Sequence, residues 1–252
     1  MTLLSIVTIN FNTAYDLSET IDSLSGFIKE YDEVEHIIVD GLSIDGSVEL
    51  AKSYCPDVLV SEPDKGIYDA MNKGIKLSSG KFISFLNAGD KIISENVFSK
   101  ALGELNGASE DIVSSGKRFI DFKGQKREKI PKQDDLRNAH LFMPLIHQGL
   151  CVSKNTYSCI GFYDLQFSIV ADSEWLLRYL IKNEKVKIKF TDFCLVDMSR
   201  GGVSDVSSSL FKRALEHYRI RDIHGYSGLI NIFLTIKYYI TRRIKYFLKE
   251  LV

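Results

Sequence analysis

The feature that most constrains this chain is a repeating pattern in its first third. Four short apolar runs, Leu3–Ile9, His36–Val39, Val58–Val60 and Phe82–Leu86, alternate with segments of helical spacing. The runs lack the polar alternation of a half-exposed strand, so they read as strands buried on both faces. Between them, Leu17, Ile21, Leu24 and Ile28 line one face of a helix predicted from Ala14 to Lys29. A short helix is expected over Ser47–Tyr54, and a third over Gly66–Leu77 with Ile67, Met71 and Ile75 in line. Strands and helices alternating at this pace build βαβ units, hence an α/β fold with a mostly parallel central sheet. Such sheets bind ligands beyond the carboxyl ends of their strands. The polar clusters of this chain sit at those ends: Asn10/Asn12, Asp40, Ser61 to Lys65, and Asn87/Asp90. Loops are polar in any protein, so each cluster alone is weak evidence; the four together point to one shared site.

Beyond residue 91 the pattern loosens. Ile112–Ser115 and Lys117–Phe122 are expected to pair as a hairpin about Ser115-Gly116, and 123–140 reads as a charged loop. Gly149–Val152, Ile188–Phe190 and Phe193–Val196 read as strands, Asp172–Ile181 as a helix, and the chain as helical from Asp205 onward.

Charge narrows the partners. Lys and Arg (32) nearly balance Asp and Glu (33), which argues against bulk nucleic-acid binding. The balance is uneven, however: residues 212–252 carry nine Lys/Arg against three Asp/Glu, leaving an acidic body with a basic tail. Four scattered cysteines with no C-x-x-C argue against a zinc site or a disulfide framework. The N-terminal apolar run has no basic residue before it and is too short to span a bilayer. A cytoplasmic location is expected. No G-x-G occurs, Gly41 to Ser47 has P-loop glycine spacing without its lysine, and H-E-x-x-H and G-x-S-x-G are absent.

The chemistry-bearing residues are carboxylates and amides at strand ends. Asp40 closes a strand and can accept hydrogen bonds from a base or ribose; Asp45 better suits a cap on the helix that begins near Ser47. Asn87 and Asp90 offer hard oxygen ligands for Mg²⁺ or Mn²⁺ shared with a diphosphate, or form only a turn. Asp172 opens a helix, where the dipole favours its ionised form; a cap and a general base are both compatible with that place. His147, before a strand, reads more readily as a structural histidine.

In this order, the segments Ser5 to Asn12, Ile38 to Ser47, Ser61 to Ile75, Phe85 to Asp90, His147-Gln148-Gly149 and Ala171 to Arg178 resemble the family 2 glycosyltransferases of GT-A fold, especially bacterial enzymes of capsule, colanic-acid-like or O-antigen assembly. The resemblance covers roughly residues 3–200 and implies a GT-A domain, bounded here as 1–204, while the pattern of the residues makes 205–252 a helical, basic amphipathic extension. The resemblance also implies a nucleoside-diphosphate-sugar donor, most often a UDP-sugar, and inversion at the anomeric carbon. By similarity, Thr8 and Asn10 would line the base pocket and Asp40 would hold the uracil. Asp64, Lys65, Asn72 and Asn87 would lie near the nucleotide or diphosphate, Asp90 would bind a divalent cation, and Asp172 would deprotonate the acceptor. The sequence departs from the family's D-x-D metal motif, with Asn87 and Gly89 in place of acids. A sugar-nucleotide nucleotidyltransferase and a non-catalytic nucleotide-sugar-binding module are the competing readings.

In the tail, Lys237, Arg242, Arg243, Lys245 and Lys249 alternate with Ile, Tyr, Phe and Leu. Residues 226–252 could lie on an anionic membrane and so bring the enzyme to a lipid-linked saccharide, as a peripheral protein of the inner face. The alternative is that this helix packs on the body or on another copy in a homo-oligomer.

Overall fold

The computed structural model describes residues 1–120, 124–183, 185–198, 209–226 and 228–250. Nine strands form one sheet. The strands β1 (Leu4–Asn10), β2 (Val34–Asp40), β3 (Val58–Ser61) and β4 (Phe82–Phe85) are mutually parallel in the order β3-β2-β1-β4. The sheet continues through β8 (Leu150–Ser153), β6 (Ile112–Ile120), β9 (Ile188–Met198) and β5 (Lys91–Ile92). Of these, β8 runs antiparallel to both neighbours, β6 and β9 are parallel, and β7 (Lys126–Lys129) hangs antiparallel on β6.

All seven residues of β1 are buried, as a strand covered on both faces requires. On one face, Leu17 and Ile21 of α1 (Ala14–Ser25) and Ala51 of α2 (Ser47–Tyr54) pack on Ile38. On the other, Tyr68, Met71 and Ile75 of α3 (Ile67–Leu77) meet Val7, Ile9, Ile37 and Val39. That core continues through α5 (Lys154–Ile160) and α6 (Ala171–Lys182) to Ile220 of α7 (Leu210–Ile223). A third cluster joins α4 (Glu95–Asn106) to Leu4, Ile6 and Phe82. The last element, α8 (Gly228–Glu250), packs on α7.

Several local expectations are corrected. The first helix ends at Ser25, with Gly26 at its C-cap and a separate 3₁₀ turn at 28–30. Ser115-Gly116 is not a turn: β6 runs straight through it, with a bulge there against β9, and its hairpin partner is β7. Gly116 is needed because a Cβ would lie 2.7 Å from Lys129 O and 3.0 Å from Cys194 Sγ. The charged loop contains β7 and a 3₁₀ helix at Gln133–Asn138, and the two short strands after residue 187 are one, β9. The expected 204/205 boundary and the helix start at Asp205 lie outside the described residues.

Candidate active site

The carboxyl ends of β1 and β2 meet in register, Asn10 opposite Asp40. Asp40 is 1% exposed and its carboxylate takes four hydrogen bonds. Asn10 Nδ2 (2.8 Å) and Ser43 Oγ (2.6 Å) donate to Oδ1; Ser43 N and Ser61 Oγ (both 2.8 Å) donate to Oδ2. Burial alone would raise its pKa, but these donors outweigh it and hold the carboxyl below the usual range. The loops after β1 and β2 interlock: Asn12 N donates to Ser43 Oγ (2.8 Å) and Ile44 N to Asn12 Oδ1 (2.9 Å). Asp45 is not itself the N-cap of α2, which is Gly46, but its carboxylate binds the first amide of two helices. It receives Ser47 N of α2 (3.1 Å) and Ala14 N of α1 (2.8 Å). Asp64 leans over Gly41, where a Cβ would meet its Oδ2 at 2.6 Å. Phe11, 62% exposed, borders the same spot. Lys65 is exposed at the start of α3.

On the other side of β1, the Asn87–Asp90 turn is tied to α1 through Thr20. Its Oγ1 donates to Asp90 O (2.8 Å) and accepts from Gly89 N (2.9 Å). Ala88 N also donates to Ile9 O (3.2 Å), so the turn abuts the residue before Asn10. Asp90 is buried, and Asn87 Oδ1 is a buried acceptor without a hydrogen-bond partner among the described residues. No group of three His, Cys, Asp or Glu among those residues could hold a metal by itself. An orphaned amide oxygen near one carboxylate does fit a hard divalent cation that takes most of its ligands from water and substrate phosphates.

Asp172 sits in the first turn of α6, half-buried. Its Oδ1 accepts from Tyr68 OH (3.0 Å) and Ser173 N (2.9 Å); Oδ2 accepts no hydrogen bond among the described residues. It lines a small cavity of about 10 Å³ with Phe85, Met143, His147, Tyr157, Tyr163 and Trp175. Phe85, which lines the cavity, ends β4 two residues before Asn87. His147 stacks on Phe85 (5.3 Å between ring centres) and its Nε2 bonds Tyr163 OH (2.9 Å), which in turn bonds Tyr157 OH (3.1 Å). Burial pushes the His147 pKa down against the opposing pull of Asp172, and burial pushes the Tyr68 and Tyr163 phenols well up. The ring is a neutral, hydrogen-bonding wall.

The structure places Asn10, Asp40 and Asp64 together at the β1–β2 mouth, Asn87 and Asp90 in the turn after β4 that abuts Ile9, and Asp172 in the first turn of α6 in a cavity shared with Phe85. Two expected residues lie elsewhere. Thr8 is 0% exposed, one layer below the rim, and its hydroxyl bonds His36 Nε2 at 2.9 Å. Asn72 is buried and clamps the Tyr163 backbone, donating to Tyr163 O (2.9 Å) and accepting Tyr163 N (3.0 Å). Both support the site's frame. Sequence reasoning gave no role to Ser43, Phe11, Tyr68 and Tyr163, and named Ser61 only within a polar cluster. Tyr68 had a signal, since it shares the buried face of α3 with Met71 and Ile75.

A mostly parallel α/β sheet with polar side chains at the carboxyl ends of its strands defines the class: an open α/β fold that binds its ligand at the strand ends. The sequence matches the glycosyl transferase family 2 profile over residues 5–162. It is 31% identical, over 224 residues, to an uncharacterized glycosyltransferase of Mycobacterium tuberculosis, covering 87% of this chain and 83% of the relative. The chain belongs to glycosyltransferase family 2. Its fold is that of Staphylococcus aureus TarS (residues 1–349) in complex with UDP-GlcNAc, with TM-score 0.65 and 15% identity over 87% of this chain. This chain spans 65% of that TarS chain. The mannosyltransferase PcManGT of Pyrobaculum calidifontis, in complex with GDP-Man and Mn²⁺, gives TM-score 0.63 at 16% identity, over 94% of this chain and 69% of PcManGT.

Proposed function

We propose that this protein transfers a sugar, with inversion, from a UDP-sugar to a hydroxyl of a saccharide or lipid-linked saccharide during assembly of a surface polysaccharide. The observation that carries this reading is the asymmetry of Asp172, a residue that lines an aromatic cavity: Oδ1 is held by Tyr68 and Ser173, and Oδ2 accepts no hydrogen bond among the described residues. A carboxylate held at one oxygen and unbonded at the other is suited to take a proton from an acceptor hydroxyl. The acceptor hydroxyl loses its proton to Asp172 Oδ2, its oxygen bonds the anomeric carbon, and the bond from that carbon to the diphosphate breaks with its electron pair.

The nucleotide end rests on the β1–β2 mouth. Phe11 offers a ring face to the base, and Asp40 accepts from a base N–H once a serine hydroxyl turns away. Asn10, Asp64 and Lys65 border the ribose and diphosphate, with Thr8 and Asn72 behind them. Asn87 and Asp90 would hold a divalent cation, Mn²⁺ or Mg²⁺, which as a Lewis acid stabilises the leaving diphosphate. The nucleotide sugars and Mn²⁺ bound by TarS and PcManGT support donor and cation.

The acceptor side includes α8. No helix among the described residues is long and apolar enough to cross a membrane. The burial of α8 is inverted relative to an ordinary surface helix. Asn231 is fully buried and Thr235, Tyr238 and Arg242 are half-buried against the body, whereas Leu229, Phe233, Ile236, Ile240 and Ile244 face solvent. An outward apolar stripe beside exposed Lys237 and Arg243 fits the inner face of an anionic membrane, where lipid-linked acceptors reside. On this reading 1–204 is the catalytic body and 205–252 the extension that docks it. The test is a thermal-shift screen of nucleotide sugars with and without Mn²⁺, followed by product analysis. Released UDP supports transfer. Released pyrophosphate indicates a nucleotidyltransferase, and binding without turnover indicates a binding module.

A further inference from the structure

A carboxylate distant in sequence holds the segment that leads into Asp172. Glu216 lies on α7 and is 3% exposed. Its Oε1 accepts from Ser168 N (3.1 Å) and Ser168 Oγ (2.8 Å), and its Oε2 from Ile169 N (2.9 Å) and Val170 N (3.2 Å). These three residues immediately precede α6, with Val170 as its N-cap. Charge-assisted bonds from consecutive amides at a helix N-terminus are among the stronger polar contacts available. The same turn is held from its other side by Tyr68 OH, whose single proton is shared between Ile169 O (2.9 Å) and Asp172 Oδ1 (3.0 Å). The backbone leading into Asp172 is therefore stapled between a carboxylate and a phenol. The helix that supplies the carboxylate is itself locked. Arg221, fully buried, donates to Asn231 Oδ1 (2.7 Å) and Thr235 Oγ1 (2.5 Å) of α8, and to His140 O (3.4 Å).

We infer that Glu216 is a positioning residue for sugar transfer: it fixes the 168–170 turn so that Asp172 presents its open oxygen to the acceptor. This rests on the reading of Asp172 as the base. It makes α7 part of the catalytic unit, although the family profile ends at residue 162. In Glu216→Gln one oxygen becomes an NH₂ group that faces donors of the 168–170 turn, so part of the turn loses its acceptor and relaxes. A misplacement of roughly 1 Å in a catalytic group lowers turnover by about 100-fold.

The test uses the full chain carrying Glu216→Gln, with Asp172→Asn alongside. Turnover is read as UDP released from UDP-GlcNAc, UDP-glucose and UDP-galactose, and backbone order as amide hydrogen exchange. For Glu216→Gln, kcat is expected to fall about 100-fold with the donor KM within about twofold. Exchange at 168–170 should accelerate while the amides of β1 and β4 stay unchanged. Wild-type kcat in Glu216→Gln with an inactive Asp172→Asn overturns the inference, as does unchanged exchange at 168–170. Full turnover in Asp172→Asn instead removes the base reading itself. If Glu216→Gln does not fold, Ser168→Ala decides the matter: it deletes one of four donors and is expected to lower kcat about threefold at constant KM, and an unchanged kcat overturns the inference.

Discussion

Asp40→Asn is the sharpest probe of the β1–β2 mouth. The wild-type carboxylate accepts two donors on each oxygen. An asparagine must point its NH₂ group at one pair. Serine hydroxyls can rotate and accept instead, so Ser43 Oγ and Ser61 Oγ adapt. Ser43 N–H cannot reverse, and Asn10 is fixed because its Oδ1 already accepts Thr13 Oγ (2.7 Å). Either orientation therefore leaves one donor facing a donor in a site that is 1% exposed. Losing one bond to a charged group and stranding its donor costs about 2–4 kcal/mol. In a chain of this size that lowers Tm by about 5–15 °C. Differential scanning calorimetry at pH 7 measures it. The pH dependence has a definite sign. The folded pKa of Asp40 is depressed, so its stabilisation is present above the unfolded carboxyl pKa of about 3.9 and is lost as pH falls through the folded value. The gap in Tm between wild type and variant should be full at neutral pH and close in acid. A variant melting within about 2 °C of wild type at pH 7 would refute the four-bond account.

Three other outcomes are expected. Thr8→Val removes the hydroxyl that bonds His36 and should destabilise the fold by about 1–3 kcal/mol without changing donor KM; a raised KM would return Thr8 to the nucleotide pocket. Burial lowers the pKa of His36 and of His217 to about 3, the latter aided by neighbouring arginines. Unfolding free energy should therefore decline as pH falls from about 6.5 toward 3, by up to about 1.4 kcal/mol per unit for each ring; His36→Phe should flatten this slope in urea titrations, and an unaltered slope would argue against a neutral buried ring. Phe233→Glu with Ile236→Glu should abolish co-sedimentation with phosphatidylglycerol vesicles while leaving Tm unchanged; concentration-dependent dimerisation of the wild type, lost in the same variant, would instead assign the face to a second copy.

The sheet was legible because β1, β2 and β4 are buried on both faces, so their apolar runs carry no competing pattern. The rim was legible because its polar residues end those runs, and the family motifs name them in order. What escaped were matters of partner choice. Gly116 has the composition of a turn, but its bareness serves a close approach by the Lys129 carbonyl. Thr8 and Asn72 stand in the motifs, yet a hydroxyl or an amide goes to whichever buried group lacks a partner. His36 claims Thr8, and the Tyr163 backbone claims Asn72. Glu216 carries no local signal, for its ligands lie more than forty residues upstream on another element.

The most direct measurement is a crystal structure of the protein soaked with UDP and Mn²⁺. The account predicts the base against Phe11 and Asp40, the diphosphate beside Asn87 and Asp90, and the space beyond it opening toward Asp172 Oδ2. Nucleotide seated away from the carboxyl rim, or an Asp172 turned from the diphosphate, would contradict it.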